Sequence, residues 1–577
     1  MTTSGLELPI TQPTVQPESP DSGGTMSWLR ERWVAPVAFV GLGVVLFFAY
    51  LAQARQLPIF ADGASQALQA WDMLHGNLLL HGWAVSDVSF YTTELPQYML
   101  LELVRGLNPD VVHLAGAMTY TLLVLGTALL AKGRATGREA LVRVLIPVGI
   151  MLAPPLGQII QSRAISPAWV FFSAPDHTGT QVPLVLIWLV LDRVRPKWWV
   201  PLLVAVMLVW VQLADSTALY EGAVPIALVC AVRMYRRRGP LEGQWYDLSL
   251  AVGALASAGV AIEAAKLIRM HGGFFVNTAA PYLASASGLS STLWPKLQDI
   301  LTLFGADFFN MTITQAAIPL AHLVAVALVV WAVASALRRF FAEDDLAVQV
   351  LTASFVVLLA AFMFGYRTGA RETVGLLPIG AALAGRLLAS RLLQFKLVPA
   401  LAAVLAFYAL TLAHYATQPA LPSPDRPLAS WLQAHHLTYG LSRTWFASNG
   451  VTLYSLGHVK VRDVQISADG KLARLRWNTK ASWYDPKLHD ARFLILNPCS
   501  APDTGLLVKG EGWPSSVYSV DDFTVLVWDQ NLLTGNSAAG SAGVSPVSQV
   551  TITRDRDELD RIRGEKKRNL TYRVLCG

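Results

Sequence analysis

The chain of 577 residues has few cysteines and few charged residues for its length. Three cysteines are too few for a disulfide scaffold or for a metal site built from thiolates. Charged residues make up only 15% of the chain and hydrophobic residues 53%, with a mean hydropathy of +0.43. This composition argues against a large soluble protein and is typical of polytopic membrane proteins.

The sequence also lacks the short motifs of several common enzyme classes. No P-loop, no G-x-G-x-x-G after a strand, no G-x-S-x-G and no H-E-x-x-H occurs. The signatures of nucleotide-binding, dinucleotide-binding, serine hydrolase and zinc protease chemistry are therefore missing. The excess of basic residues, 45 against 39 acidic, lies in short loops between apolar runs, where it indicates membrane topology and not nucleic-acid binding.

Hydrophobic runs separated by polar loops predict about eleven membrane-spanning helices, each near the length of about 17 to 25 residues that a bilayer requires. The chain is therefore expected to be an α-helical polytopic membrane protein. The first span is expected to remain in the protein, because no A-x-A-like cleavage site follows it. The predicted spans are residues 34–53, 111–131, 139–156, 180–192, 198–213, 222–235, 247–267, 316–337, 346–365, 373–392 and 397–415.

Loop charges predict the orientation of these spans. Short loops rich in Lys and Arg stay in the cytoplasm, and every second loop of this chain is basic. The N-terminus is therefore expected to be cytoplasmic, in the plasma membrane, and everything after about residue 416 to be outside. The other regions placed outside are approximately residues 54–110, 157–179, 214–221, 268–315 and 366–372.

The predicted domains follow from the same pattern. Residues 1–25, rich in Thr, Ser, Pro and Gly, are expected to be a disordered tail. Residues 26–416 form the transmembrane domain, in which outer loop 54–110 carries helices at the membrane interface. Residues 417–427 are a proline-rich linker, and residues 428–577 form an extracytoplasmic C-terminal domain.

The C-terminal domain is expected to be mainly β. Alternating runs such as VTLYSL, VKVRDVQIS and FTVLVW predict strands, and SADGK between two runs predicts a hairpin turn. One helix, SWLQAHHL, opens the domain. Cys499 and Cys576 lie in this region and could form a disulfide if it is extracytoplasmic. The alternative is two unrelated buried thiols.

Asp62 lies about eight residues after the first predicted span, near the outer surface. The apolar residues that follow it recur at spacings of three and four, which predicts an amphipathic helix lying in the interface. Asp72 is expected on the solvated face of that helix, and Glu94 leads a second segment of the same kind. Asp62 is either a catalytic base above the spans or a helix N-cap, and the two roles do not exclude each other.

The segment YRTGARETVGLLP places Arg367 and Arg371 four residues apart at the outer end of a span. Cations on the outside are an exception to the usual charge bias. Guanidinium groups bind phosphate in bidentate fashion, so these arginines are candidate ligands for a donor phosphate. The alternative is binding to lipid headgroups, or snorkelling to the interface.

Two further outer loops carry candidate polar side chains. Asp176 and His177 stand in SAPDHTGTQVP and could contact an acceptor or a leaving phosphate, or could be ordinary polar loop residues. Glu221, in the third outer loop, is a candidate contact of the same kind. No metal ligands are assigned, because one identifiable carboxylate makes a poor ion site, but a divalent metal ion is left open.

This order of elements resembles the GT-C superfamily of membrane glycosyltransferases, in its protein mannosyltransferase and aminoarabinose transferase branches. HLTYGLSRTW and SWYDPKLHDARFLIL also look like the C-terminal portion of large actinobacterial membrane proteins of this type. The resemblance implies that Asp62 activates the acceptor and that ARETVGLLP faces the lipid-linked donor phosphate. The family often shows two closely spaced acids in the first outer loop, whereas this chain has Asp62 followed by Gly63.

The resemblance implies a glycosyltransferase with a polyprenyl-phosphate sugar donor. It would act with inversion at the outer face of the plasma membrane, on a glycan, lipid or protein acceptor of the envelope. The alternative is a transporter or flippase of a lipid-linked or small anionic solute, with Arg367, Arg371 and Glu263 along its path. An enzyme should gather Asp62, Arg371 and either Asp176 or His177 in one place, whereas a transporter should show two pseudo-symmetric halves around a midplane site.

Overall fold

The computed structural model describes residues 24–156, 167–237, 244–277, 284–309, 311–365, 369–420, 423–497 and 504–534. By internal contacts, residues up to Leu46 form one unit and residues from Phe47 onward a second. Arg367, Cys499, Cys576 and residues 1–23 of the predicted tail lie outside the described residues. The predicted disulfide and the role of Arg367 therefore remain predictions.

Each of the eleven predicted spans coincides with a helix. Eight helices in the described ranges are long and apolar enough to cross a membrane, so the chain is a multi-pass membrane protein. The eleven helices are α1 Gly24–Ala54, α4 Asp110–Lys132, α5 Gly137–Leu152, α7 Asp176–Arg193, α8 Val200–Ala214, α9 Val224–Arg237, α10 Trp245–Met270, α12 Ile313–Arg339, α13 Leu346–Phe364, α14 Leu376–Gln394 and α15 Val398–Ala416. Three of them, α7, α8 and α9, do not belong to the eight, because they are shorter or begin with polar residues.

Small residues let the helices pack closely. α4 packs against α5, α7 and α14. A Cβ atom at Gly385 would lie 2.6 Å from the Arg143 carbonyl oxygen, and one at Gly116 would lie 2.9 Å from the Phe172 carbonyl oxygen. Glycine at these positions therefore allows the backbones to approach, as is common where membrane helices meet.

Shorter helices and strands fill the outer segments and the C-terminal domain. The remaining helices are α2 Ala61–Leu74, α3 Glu94–Arg105, α6 Pro167–Phe172, α11 Ala286–Leu303, α16 Asp425–Ala434, α17 Trp445–Tyr454 and α18 Thr504–Glu511. The strands are β1 Trp83–Val85, β2 Phe275–Val276, β3 Tyr439–Ser442, β4 Lys460–Ile466, β5 Leu472–Arg474, β6 Thr479–Lys480, β7 Phe493–Leu496, β8 Ser516–Val520 and β9 Phe523–Val527.

The C-terminal domain is built on a six-stranded sheet with the strand order β5-β4-β3-β7-β9-β8. β3 runs parallel to β4 and β7, and the other neighbours are antiparallel. Residues of α16 and α17 join one core cluster and a residue of α18 joins the other. The predicted fold class, membrane helices followed by a β-sheet domain, is confirmed, and SADGK forms the predicted turn between β4 and β5.

A second, three-stranded sheet joins the C-terminal domain to two outer segments. β1, from the first outer loop, pairs in parallel with β2, which follows α10, and antiparallel with β6 of the C-terminal domain. The C-terminal domain therefore contacts the outer loops directly, in addition to its covalent link through α15.

The apolar face of α2 packs against protein, and its location at the membrane interface remains a prediction. Its alanines Ala64, Ala67 and Ala70 pack in a core cluster with Tyr98 of α3 and Leu453 of α17. Amphipathic spacing reports only that one face is buried, and here the covering partner is protein. The helix is therefore enclosed between the transmembrane domain and the C-terminal domain.

The predicted orientation can be tested with single cysteines in a variant whose three native cysteines are replaced by serine. Lys471 lies in the exposed β4–β5 turn and Arg339 at the exposed end of α12. We expect a membrane-impermeant maleimide to label Lys471→Cys in intact cells, and Arg339→Cys only after permeabilisation. The reverse pattern would contradict the orientation that the loop charges predict.

Candidate active site

Arg371 contacts two segments that are far from it in sequence. It stands in a single 3-10 turn, Ala370–Thr373, between α13 and α14. Its Nη1 lies 2.8 Å from Asp176 Oδ2 and 3.3 Å from Asp62 Oδ2, and its Nη2 donates to Ser173 Oγ at 2.8 Å. One guanidinium group thus contacts the first turn of α2 and the residues around the start of α7.

The turn that carries Arg371 is held by α11. The backbone N–H of Gly369 donates to Asp299 Oδ2 at 2.9 Å. One turn earlier on α11, Lys296 Nζ donates to the carbonyl oxygens of Met363, at 3.1 Å, and Gly365, near the end of α13. These bonds fix the backbone on the N-terminal side of the turn and so restrict where the guanidinium can lie.

Asp62 occupies the first turn of α2 without capping it. The N-cap residue is Phe60, which makes no side-chain cap bond, so the capping interpretation is wrong and the carboxylate instead contacts Arg371. The centre of the Phe60 ring lies 4.5 Å from Arg371 Cζ, so the ring makes a cation–π contact with the guanidinium.

No second acid could follow Asp62 without displacing its neighbours. A Cβ atom at Gly63 would lie 2.6 Å from Val112 Cγ1 and 2.8 Å from the Ser173 carbonyl oxygen. The departure from the family pattern at this position therefore has a steric cause.

Two opposed effects act on the Asp62 carboxyl group. Burial and the nearby Asp176 carboxylate raise its pKa and Arg371 lowers it, with a net pKa of about 8. The side chain keeps 21% of its surface exposed. A carboxyl group with a pKa near 8 is mostly protonated at neutral pH and is a stronger base, once ionised, than an ordinary aspartate.

Asp176 is held in a strained backbone conformation at the start of α7. Its φ is +30°, a region that residues other than glycine rarely adopt. One carboxylate oxygen contacts Arg371, and the other accepts a hydrogen bond of 2.8 Å from Gln66 Nε2. Because Gln66 is four residues after Asp62, α2 supplies two side chains to the site from one face.

His177 and Asp215 form a buried pair beside Asp176. His177 Nδ1 lies 2.7 Å from Asp215 Oδ2, which also accepts from Thr180 Oγ1 at 3.0 Å. Burial alone would raise the pKa of Asp215, but His177 and the hydrogen bonds from Thr217 bring it below its ordinary value. Asp215 therefore stays ionised and orients the imidazole ring.

Glu94 is the most deeply buried acid of the site. It is fully buried, accepts from Thr93, and lies 3.5 Å from Thr180 Oγ1. A Cβ atom at Gly179 would lie 2.4 Å from Glu94 Oε1, so only glycine at that position leaves room for the carboxyl group. Burial raises the pKa of Glu94 well above its ordinary value, which favours the neutral carboxylic acid.

Glu221 is brought near the Arg371 segment but not into contact with the guanidinium. It belongs to a π-helical turn, Leu219–Ala223, at the start of α9. A Cβ atom at Gly375, four residues after Arg371, would lie 2.3 Å from Glu221 Oε2. This oxygen is buried and has no hydrogen-bond partner, so Glu221 packs against the segment after Arg371 without bonding to it through Oε2.

The described residues offer a poor fit to a divalent metal ion. Within them, no group of three or more His, Cys, Asp or Glu side chains could hold a metal. One carboxylate oxygen of Asp62 and one of Asp176 both contact Arg371 Nη1. A guanidinium group thus stands where a bridging cation would have to lie.

Sequence reasoning singled out Asp62, Asp176, His177 and Arg371, which the structure brings together. It gave no role to four of their neighbours, Gln66, Glu94, Ser173 and Asp215. The spacing could have identified Gln66, one turn after Asp62, whereas the other three depend on tertiary contacts.

The transporter interpretation loses one of its residues, since Glu263 pairs with Lys266 at 2.6 Å on the exposed surface of α10.

Comparison with known proteins gives distant structural likenesses only. No family model and no curated protein matches the chain. The oligosaccharyltransferase of Archaeoglobus fulgidus, tethered with an acceptor peptide containing the NVT sequon, is 11% identical over 84% of this chain and 72% of its own, with a TM-score of 0.42. ArnT from Cupriavidus metallidurans bound to undecaprenyl phosphate is 14% identical over 88% of this chain and 98% of its own, with a TM-score of 0.41.

Proposed function

We propose that this protein is a GT-C-type glycosyltransferase that transfers a sugar, with inversion, from a polyprenyl-phosphate donor to an acceptor of the cell envelope at the outer face of the plasma membrane. The observation that carries the proposal is the contact of Arg371 with Asp62, Asp176 and Ser173. A carboxylate and a guanidinium within 3.3 Å of each other can flank the two ends of one sugar phosphate.

One edge of the Arg371 guanidinium keeps a donor without a partner. Its Nη1 contacts the two carboxylates, while its Nε is buried and has no hydrogen-bond partner. The Nε and Nη2 groups form a fork that matches two phosphate oxygens. When phosphate binds to this edge, Nη1 keeps its contacts with the carboxylates. The hydrogen bond from Nη2 to Ser173 is then lost, or the Ser173 hydroxyl donates to the phosphate.

The chemical step needs one base and one charge stabiliser. Asp62 takes the proton of the acceptor hydroxyl as its oxygen bonds to the anomeric carbon. The bond from that carbon to the phosphate oxygen breaks, and polyprenyl phosphate leaves with the electron pair, its growing charge stabilised by Arg371. Attack on the side opposite the phosphate inverts the anomeric centre.

Two of the surrounding acids are placed so that they repel an anionic donor less. Burial raises the pKa of Glu94 and so favours its neutral form, and Asp215 pairs with His177. Asp176 pairs with Arg371 and Gln66, which holds the guanidinium against Asp62 before the donor arrives. Preorganisation of this kind reduces the reorganisation that the reaction would otherwise require.

Replacing Asp62 with asparagine tests the general-base role. We expect Asp62→Asn to lower turnover of a polyprenyl-phosphate sugar in proteoliposomes by about 100-fold or more, with little change in KM, because proton transfer to a positioned base contributes factors of about 10² to 10⁴. Asp110→Asn is the matched control, since Asp110 is similarly exposed, at 22%, and pairs with Arg55. Activity near wild type in a folded Asp62→Asn variant would exclude the role.

The pH profile gives a second test. Since Asp62 acts only when ionised, kcat/KM should rise with pH and level off above an apparent pKa near 8. Removing a cation raises the pKa of a neighbouring acid and removing an anion lowers it. The apparent pKa should therefore move up in Arg371→Gln and down in Asp176→Asn. Shifts in the same direction, or an unchanged profile in both, would disagree with the assignment of Asp62.

Replacing Arg371 tests the stabilisation of the leaving phosphate. Arg371→Lys keeps the charge but loses the fork, and Arg371→Gln loses both. We expect kcat to fall by about 100-fold or more in Arg371→Gln, as for the loss of a transition-state donor, and less in Arg371→Lys. The difference should shrink when the donor carries a leaving group of lower pKa. Equal rates in both variants and wild type would argue for a lipid-headgroup contact instead.

A further inference from the structure

α2 carries polar side chains in two neighbouring stripes. Asp62 and Gln66, four residues apart, point to Arg371 and Asp176. Ser65, Gln69 and Asp72, with spacings of four and three, form a second stripe along the helix. Each residue of the second stripe has a hydrogen-bond or ion-pair partner in the C-terminal domain.

The C-terminal domain supplies those partners. Asn449 Nδ2 on α17 donates to Ser65 Oγ at 2.8 Å, and both residues are buried. Gln69 Nε2 donates to Asn478 Oδ1 at 3.3 Å. Lys480 Nζ lies 3.0 Å from both carboxylate oxygens of Asp72. The three contacts follow the helix over two turns.

The same part of the domain also fixes the chain that follows α2. Asn478 Oδ1 accepts a second hydrogen bond, of 3.0 Å, from the backbone N–H of Ser86. Asp72 accepts from Trp83 Nε1 at 2.7 Å, and β1 pairs with β6. Asp72 is therefore a half-buried anchor and not the solvated residue that its place in the helical pattern predicted.

We propose that the C-terminal domain is a positioning element of the active site, in which Asn449, Asn478 and Lys480 fix the place and rotation of α2 and so hold Asp62 against Arg371. The proposal rests on the proposed function. α2 has 14 residues, and a helix that short gains its stability from packing. Ser65 is less than one turn from Asp62, so a shift at Ser65 moves the carboxylate with it.

The size of the effect follows from geometry. A misplacement of about 1 Å at a reacting group can cost about 10²-fold in rate. Asn449→Ala removes the partner of Ser65 while leaving Asp62, Arg371 and every site contact described above in place. It should therefore lower kcat and leave KM almost unchanged, because donor binding does not use α17.

The experiment compares Asn449→Ala with Asn531→Ala in the full-length protein in lipid nanodiscs. Asn531 Nδ2 donates to the His489 carbonyl oxygen, and Asn531 Oδ1 accepts from the Ala491 N–H. Since neither contact involves α2, replacing Asn531 weakens the domain without removing a partner of Ser65. We expect a fall in kcat of about 10-fold to 100-fold in Asn449→Ala with KM within about threefold, and faster amide hydrogen exchange in α2. Asn531→Ala should change neither.

Exchange of the two partners gives a rescue. The double variant Ser65→Asn, Asn449→Ser keeps the combined length of the two side chains and exchanges their positions. We expect it to recover most of the lost kcat. Equal losses in Asn449→Ala and Asn531→Ala would overturn the proposal, because they would show a general effect of domain stability. Unchanged exchange in α2 would overturn it as well. If the wild type transfers no sugar, the proposed function fails, while the exchange of α2 still decides whether the domain positions this helix.

Discussion

The candidate site depends on one guanidinium group shared between carboxylates from separate outer segments. Arginine stays charged when buried, and the carboxyl groups of Asp176 and Asp62 lie beside the Arg371 guanidinium. Burial and the Asp176 carboxylate favour protonation of Asp62, and this cation opposes it. The contacts of Arg371 therefore influence both the loop geometry and the protonation of Asp62.

Glycine residues decide where the acids of the site can lie. Gly179 leaves room for Glu94, Gly375 leaves room for Glu221, and Gly63 allows α2 to approach Ser173. In each case an added methyl group would come within 3 Å of the group that the glycine accommodates. Attraction to a cation alone does not bury these acids, because burying an acidic group costs free energy. Close packing of the backbones around the glycines holds the acids in their buried positions.

The sequence allowed prediction of those features that depend on local properties. Helix positions followed from length and hydropathy, and Asp62, Asp176 and Arg371 stood out by their places relative to the spans. Glu94, Ser173 and Asp215 gained their roles only from tertiary contacts, so no local pattern marked them as a set. The errors have the same origin. Apolar spacing in α2 predicted a buried face correctly, but could not distinguish lipid from a domain that begins more than 350 residues later.

Two neighbouring polar stripes on α2 explain why residues 54–110 and the C-terminal domain form one structure. A short helix with buried polar groups in two stripes is stable only where both stripes find partners. Arg371 and Asp176 contact one stripe, and Asn449, Asn478 and Lys480 contact the other. Neither set of partners satisfies the helix alone. Movement of the C-terminal domain would therefore reach Asp62 through a single rigid element.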